Sequence, residues 1–123
     1  MSESLLILAV DRNERNLALL TDFLCRHGYA TLCGHSLDAF DRALHDSGKI
    51  RMALVVTSGF DDDGIWSRCE CLRQNRIPFW VVSSQPVRRV HAWSIRHGAQ
   101  GVLGKALARQ ELLALAHRFV VQV

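Results

Sequence analysis

Polar side chains stand where three apolar segments of strand length end, and these are the positions at which the chain could do chemistry. Residues 52–56 form an uninterrupted apolar run that gives way to Thr57, an earlier run ends at Asp11, and a later one ends at Ser83. Runs without polar alternation are typical of strands buried on both faces of a parallel sheet, whose carboxyl edge carries the functional sites. A threonine hydroxyl is a poor nucleophile unless a base activates it, and no histidine lies at a site-forming strand end.

Three consecutive acids, Asp61, Asp62 and Asp63, follow shortly after Thr57 and could supply metal ligands. Acids ahead of a helix also stabilise the positive end of the helix dipole. We therefore interpret the three acids as a solvated loop at the N-terminus of the third helix.

Metal binding is not predicted, although Asp11 is a weak candidate ligand. We favour Asp11 as the N-cap of the first helix, in an acid-x-x-Glu pattern, paired with Lys105. Cys69 and Cys71 lack the two-residue gap of common zinc sites, and the six histidines are dispersed along the chain.

The charges are distributed unevenly along the chain. Residues 1–70 hold eleven acids against seven bases, whereas residues 71–110 hold seven bases and no acid. The predicted fourth helix carries three of these bases and an aromatic side chain, so its face is a candidate binding surface for a protein or for nucleotide phosphates. The candidate residues are Arg88, Arg89, Trp93 and Arg96.

The length of 123 residues is most simply one domain, 1–123. No apolar stretch approaches the roughly 20 residues that a membrane span requires, and the N-terminus lacks the basic start of a signal peptide. We therefore expect a cytoplasmic protein that does not enter the membrane.

Five apolar segments alternate with five amphipathic ones, a pattern that predicts parallel βαβ units joined by right-handed crossovers. The expected architecture is α/β, a three-layer α/β/α sandwich around a doubly wound five-stranded parallel sheet. The predicted strands are 5–10, 29–34, 52–57, 77–83 and 99–103. The predicted helices are about 12–27, 37–47, 64–74, 86–97 and 107–121.

With these elements placed, the chain resembles a response-regulator receiver domain over nearly its whole length. The cues are Ile7-Leu8-Ala9-Val10-Asp11, the run from Met52 to Thr57 with Gly64 after it, Ile77-Pro78 with Val82-Ser83-Ser84, and Gly98-Ala99-Gln100-Gly101-Val102-Leu103-Gly104-Lys105. The resemblance implies a flavodoxin-like sheet of strand order 2-1-3-4-5.

The resemblance also implies a phosphorylation site, which this chain matches only in part. The carboxylate nucleophile of the family falls on Thr57, and the acid pair that holds Mg²⁺ falls on Asp11 and Arg12. The phosphoryl-contacting hydroxyl and lysine fall on Ser83 and Lys105. Because Mg²⁺ prefers carboxylate ligands and the nucleophile is missing, we expect neither Mg²⁺ binding nor phosphotransfer, and no other cofactor.

We therefore predict a non-enzymatic pseudo-receiver in two-component or phosphorelay signalling, which acts through contact with a protein partner or output domain. The receiver resemblance places dimerisation on the surface formed by helix 4, strand 5 and helix 5. Two alternatives remain: a phosphoacceptor that uses a displaced acid of the loop 61–63, or a module that binds a nucleotide or nucleic acid on the basic face of helix 4. Nucleic-acid binding is not expected of this domain alone.

Overall fold

The computed structural model describes residues 5–45, 47–85, 87–104 and 109–121. The strands are β1 Leu6–Val10, β2 Ala30–Gly34, β3 Ile50–Val56, β4 Phe79–Ser83 and β5 Gly101–Gly104. The helices are α1 Glu14–Arg26, α2 Leu37–Leu44, α3 Asp62–Gln74, α4 Val87–Arg96 and α5 Arg109–Ala116. A short 3₁₀ turn, Ser47–Lys49, precedes β3, and a π-helical turn, His117–Val121, follows α5.

The five strands form one parallel sheet of order β2-β1-β3-β4-β5, which confirms the predicted fold class and strand order. Strand β3 lies at the centre of the sheet, between β1 and β4, and six of its seven residues are buried, including all of 52–56. The ends of β1, β3 and β4 are consequently neighbours at the carboxyl edge of the sheet.

Successive side chains of the strands enter two separate apolar layers, because strand side chains alternate between the faces of a sheet. Val55 packs on the layer that contains Phe40 of α2 and Ile65 of α3. Leu54 packs on the opposite layer with Leu24 of α1 and with α5. Helices α2, α3 and α4 therefore cover one face of the sheet, and α1 and α5 cover the other.

The start of α1 differs from the prediction that Asp11 caps this helix, which is wrong. Asn13 is the N-cap, with its side-chain oxygen accepting from the Asn16 amide at 3.0 Å, and the helix begins at Glu14. Asp11 Oδ1 instead accepts from the Asn13 amide at 2.9 Å. Both side chains are good acceptors for a helix start, and the one nearer the first helical turn takes the cap.

Several further element ends differ by two or more residues from the prediction. Strand β3 begins at Ile50, two residues earlier, β5 begins at Gly101, two residues later, and α5 gives way to the π-helical turn after Ala116. Helix α3 begins at Asp62, two residues earlier, because Asp61 supplies the cap. Helix α2 ends at Leu44, before Gly48, and the chain enters the 3₁₀ turn. Strand β4 begins at Phe79, because the Ile77 amide closes the end of α3 by donating to the Leu72 carbonyl.

Helices α2 and α3 approach each other closely at Gly64. A β-carbon at this glycine would stand 2.6 Å from Leu37 Cδ1, so only the absence of a side chain allows the observed contact. One turn further along α3, the Arg68 guanidinium donates to both carboxylate oxygens of Asp41, each at 3.0 Å. The hydrogen bond to Asp41 raises the pKa of Arg68, and the pair fixes α3 against α2.

Candidate functional site

The polar residues that the sequence placed at strand ends lie together at the carboxyl edge of the sheet. Asp11 follows β1, Thr57 follows β3, and Ser83 is the last residue of β4. Because β1, β3 and β4 are successive strands of the sheet, these three residues stand in a row. Lys105 lies outside the described residues, so its predicted pairing with Asp11 stays a prediction.

Asp11 is committed to the local backbone. Its side chain is part of a residue only 5% exposed, Oδ1 accepts from the Asn13 amide, and its own amide donates to the Gly34 carbonyl at 3.1 Å. One carboxylate oxygen therefore has a backbone donor, and the two bonds together fix the turn between β1 and α1.

The residue beside Asp11 is exposed Arg12, whose side chain crosses towards the loop after β3 and contacts Gly59. Gly59 has a φ of +86°, a conformation that disfavours residues with a β-carbon. The loop therefore turns tightly beneath a cationic side chain.

The donor set does not suit Mg²⁺, which takes oxygen ligands in octahedral geometry and usually one or two carboxylates. The edge offers the engaged carboxylate of Asp11, a hydroxyl at Thr57 and a guanidinium at Arg12. Within the described ranges there is no group of three or more His, Cys, Asp or Glu side chains that could hold a metal ion.

The three loop acids lie at the start of α3, as interpreted from the sequence. Asp61 Oδ2 accepts from the Gly64 amide at 3.0 Å and caps the helix, and Asp62 and Asp63 occupy its first turn. All three residues are exposed. Their carboxylates favour the positive end of the helix dipole.

Thr57 and Ser83 both support turns that leave the sheet. Thr57 is half-buried, and its carbonyl accepts from the Phe60 amide at 3.4 Å. Ser83 is 7% exposed, and its hydroxyl oxygen accepts from the Gln85 amide at 3.0 Å. The two hydroxyl residues thus shape the loops that lead to α3 and α4.

A cleft of about 350 Å³ opens between these two loops and extends between α3 and α4. Its inner, polar end is formed by residues that follow β3 and β4, among them Thr57 and Ser83. Its outer end is formed by Phe60 and by side chains of α3 and α4, including Trp66 and Trp93. The cleft thereby joins the strand-end hydroxyls to an aromatic surface.

Three aromatic rings connect α3 to the C-terminal end of α4. The His97 ring stacks on Trp66, with centroids 4.7 Å apart and planes 24° apart. Trp93 meets Trp66 edge-on at 6.3 Å and His97 at 4.9 Å. Offset and edge-to-face pairs of this kind stabilise beyond their buried area. The arrangement fixes the Trp66 ring in the wall of the cleft.

The basic residues predicted for α4 are only partly described. Arg88 and Arg96 are exposed, and the side chain of Arg89 lies outside the description. Trp93 is 49% exposed and Ile95 is 41% exposed on the same helix. The helix therefore presents cationic and apolar groups together to solvent, and Trp93 also contributes to the cleft.

Sequence reasoning missed Trp66, Phe60 and the stacking role of His97. Trp66 follows the buried Ile65 in α3, and 26 residues lie between it and Trp93 in the sequence. The available signal was the presence of one tryptophan on each of two helices that follow adjacent strands, because such helices pack side by side on a parallel sheet.

Comparison of the sequence with models of protein families and with curated proteins finds no match. Solved structures do match, and many of them are receiver domains. The receiver domain of a DNA-binding response regulator from Colwellia psychrerythraea 34H superimposes with a TM-score of 0.81 at 17% identity, over 96% of this chain and 99% of that one.

Two further structures widen the range of proteins with this fold. A protein described as a pilus assembly protein, from Burkholderia thailandensis E264, matches with a TM-score of 0.78 at 17% identity, over 96% of this chain and 99% of that one. NtrX from Brucella abortus matches with a TM-score of 0.78 at 20% identity, over 97% of this chain and 26% of the longer NtrX chain.

These similarities confirm the receiver resemblance at the level of the fold. The chain has the flavodoxin-like fold of receiver domains, which are signalling modules, with the same five-stranded order. None of the described helices is long and apolar enough to cross a membrane.

Proposed function

We propose that the chain is a receiver-like module of two-component or phosphorelay signalling that works without phosphorylation, in the cytoplasm, through contact with other proteins. The observation that carries this proposal is Thr57 at the end of the central strand β3, where phosphotransfer requires a carboxylate. A hydroxyl there needs an activating base, and the neighbouring strand ends contribute Asp11, already bonded to the backbone, and Ser83.

The charge beside the site supports the same proposal. A phosphoryl transfer at a receiver edge would depend on a divalent cation near the transferred group. Arg12 is exposed and its stem packs against the loop after β3, so a cationic residue stands where the receiver resemblance expects the second acid of the metal-binding pair.

A phosphoacceptor displaced into the loop 61–63 is less well supported. Asp61 is engaged as the N-cap of α3, and its exposed neighbours lie in the first turn of that helix, beyond the end of β3. Asp62 and Asp63 are exposed, and an exposed carboxylate lacks the preorganised hydrogen-bond donors that stabilise a transferred phosphoryl group.

The test is incubation with a small phosphodonor and Mg²⁺, followed by intact mass measurement. The unmodified mass is expected. A stoichiometric phosphoryl adduct would contradict the proposal, and its loss in Asp61→Asn, Asp62→Asn or Asp63→Asn would identify a displaced acceptor. The matched control is Asp22→Asn, an exposed acid on α1 outside the site.

The proposed contact surface is the face of α4, β5 and α5, as a homodimer or as a docking site for an output domain. Support comes from α4, where Arg88, Arg96 and the 41%-exposed Ile95 combine charge with apolar area. In NtrX, a domain of this fold makes up about a quarter of a longer protein.

Sedimentation equilibrium tests self-association through this surface. We expect the wild type to be a dimer and Ile95→Glu to be a monomer. A monomeric wild type would exclude self-association.

The basic face of α4 also supports a nucleotide- or nucleic-acid-binding role as a second candidate, because residues 71–110 contain no acid. Binding through phosphates weakens steeply with salt. Titration of a fluorescent oligonucleotide at two salt concentrations tests it. We expect no binding of the oligonucleotide even at low salt, and that result would dismiss this role.

A further inference from the structure

The cleft between α3 and α4 has the size of a small-molecule site. Its volume of about 350 Å³ lies within the range of about 300–1,000 Å³ that ligand pockets occupy. Such pockets combine an apolar wall with a few convergent polar groups, and both are present here.

The aromatic wall is positioned before any ligand arrives. The stacked His97 ring, at 4.7 Å, holds Trp66, and Trp93 stands edge-on to Trp66 at 6.3 Å. Because Trp93 is 49% exposed, a large part of its indole is free to contact a ligand. Indole faces bind flat rings by stacking and bind cations through the ring quadrupole.

The polar end offers hydrogen bonds in both directions. The Ser83 hydroxyl oxygen accepts from the Gln85 amide, and a hydroxyl in this state still has its hydrogen to donate. Ser84 and Gln85 are exposed at the same end of the cleft and carry a second hydroxyl and a side-chain amide. Groups of this kind match the mixed donors and acceptors along the edge of a heteroaromatic ring.

Among the lining residues that the structure describes, the one charged side chain is an acid. Asp62 lines the cleft and is exposed, and among the lining residues that the structure describes there is no lysine or arginine. A carboxylate repels phosphate and carboxylate groups and attracts amines. The charge among the lining residues is therefore negative, and the cationic Arg12 lies outside the lining, against Gly59.

We propose that this cleft binds a small planar heteroaromatic molecule that is neutral or positively charged, with its ring against Trp66 and Trp93 and its polar edge towards Ser83 and Gln85. This proposal does not depend on the signalling role. A ligand in this place would contact the loop after β3 and helix α4 together.

The test uses two pairs of probes matched in ring system and different in charge: adenosine with AMP, and tryptamine with indole-3-acetate. The indole N–H signals are followed in ¹⁵N–¹H spectra, with assignment by Trp→Phe variants. Trp80 is the internal reference, because it lies in the opposite layer, edge-on to Phe119 at 4.8 Å.

We expect adenosine or tryptamine to shift the Trp66 and Trp93 signals and to leave Trp80 unchanged, with the anionic partner bound at least about fivefold more weakly. Trp93→Ala should weaken binding by roughly fivefold or more, as loss of one stacking contact does. Asp62→Asn should reduce the difference in affinity between the two probes of each pair, because it removes the negative charge from the lining. Leu19→Ala, an exposed position on α1, is the control that should bind normally.

Three outcomes would overturn the proposal: no probe shifts Trp66 and Trp93 at millimolar concentration, the anionic probes bind as well as their partners, or Trp93→Ala binds unchanged. If Trp93→Ala disturbs the fold, the Trp80 signal will show it. Trp93→Phe, which keeps a smaller ring at this position, then takes its place and should bind more weakly than the wild type.

Discussion

Arg12 lies over Gly59 so closely that a β-carbon on the glycine would stand 3.0 Å from Arg12 Cβ and 3.2 Å from its Cγ. The contact joins the turn after β1 to the loop after β3, the two segments that would have to share a metal ion in a phosphorylated receiver. Here they share a cationic side chain. Under the proposed function, both residues oppose phosphorylation: Thr57 offers no carboxylate nucleophile, and the positive charge of Arg12 disfavours a metal ion.

Thr57→Asp alone is predicted to remain unphosphorylated, because Arg12, a cation in place of the second acid of the receiver pair, still opposes Mg²⁺ binding. Thr57→Asp with Arg12→Asp should accept a phosphoryl group from a small donor, detected by intact mass. Thr57→Asn with Arg12→Asp is the matched control without a nucleophile. Robust labelling of the single variant would refute the argument about Arg12.

Gly59→Ala is predicted to lower the free energy of unfolding by about 1–2 kcal/mol, because φ at this position is +86° and the added methyl meets Arg12. Gly59→Asn should cost less, since asparagine tolerates positive φ. Gly48→Ala is the control, because a β-carbon there meets nothing within 4 Å. Urea denaturation measures all three, and equal stability of Gly59→Ala and the wild type would contradict the strain.

The ion pair between Arg68 and Asp41 is predicted to couple α3 to α2 by about 0.5–1 kcal/mol, at the upper end for partly exposed pairs because it is bidentate. A double-mutant cycle with Arg68→Gln and Asp41→Asn, at low and high salt, measures this coupling. The control cycle is Arg26 with Asp22, an exposed pair one turn apart on α1, where about 0.3–0.5 kcal/mol is expected. Equal coupling in both pairs would show that the bidentate geometry adds nothing.

Glu70 is predicted to titrate below the ordinary range of glutamate. The hydrogen bond from Arg73 lowers the pKa of Glu70, partial desolvation opposes this, and the charges of Arg73 and His97 lower it further. Because the folded-state pKa is the lower one, the stabilisation is complete above the ordinary glutamate pKa and is lost as the pH falls through the folded value. NMR titration should show this, and Arg73→Gln should raise the pKa of Glu70. An unchanged pKa in that variant would exclude the assigned cause.

The four thiols are predicted to differ in reactivity. Burial raises the pKa of Cys69 to about 12, so this thiol should react with a disulfide reagent only after unfolding. Cys25 and Cys33 are exposed and should react at once, whereas half-buried Cys71 should be slower. The test counts the thiols that react in the native and in the unfolded protein and follows their rates, with Cys69→Ala as the control. Rapid modification of Cys69 in the native protein would contradict its burial.

The strands and their order could be predicted because burial on both faces leaves a strong pattern in the sequence. The run that became β3 had no polar residue between 52 and 56, and such a run has few alternatives to a central parallel strand. The position of the three acids at the N-terminus of α3 was local and could therefore be predicted, although the cap at Asp61 was not.

Two kinds of feature could not be predicted: a choice between two residues equally suited to one role, and contacts between residues far apart in the sequence. Asp11 and Asn13 both suit a helix cap, and the choice between them follows from the path of the chain after β1. The cleft required Trp66 and Trp93 to meet across two helices, and helical periodicity describes each helix without stating how it is rotated against its neighbour. The aromatic end of the cleft could therefore not be predicted from either helix alone.

The C-terminal end of helix α4 packs against α3. Beyond its last residue, His97 stacks on Trp66, and the side chain of Arg73 lies where a β-carbon on Gly98 would be. The start of the helix adjoins the open cleft. Any tilt of α4 would accordingly pivot near Gly98, and with a rise of about 1.5 Å per residue the lever arm to Arg88 is roughly 15 Å. A small movement at the pivot would sweep the far end of the helix through a much larger arc.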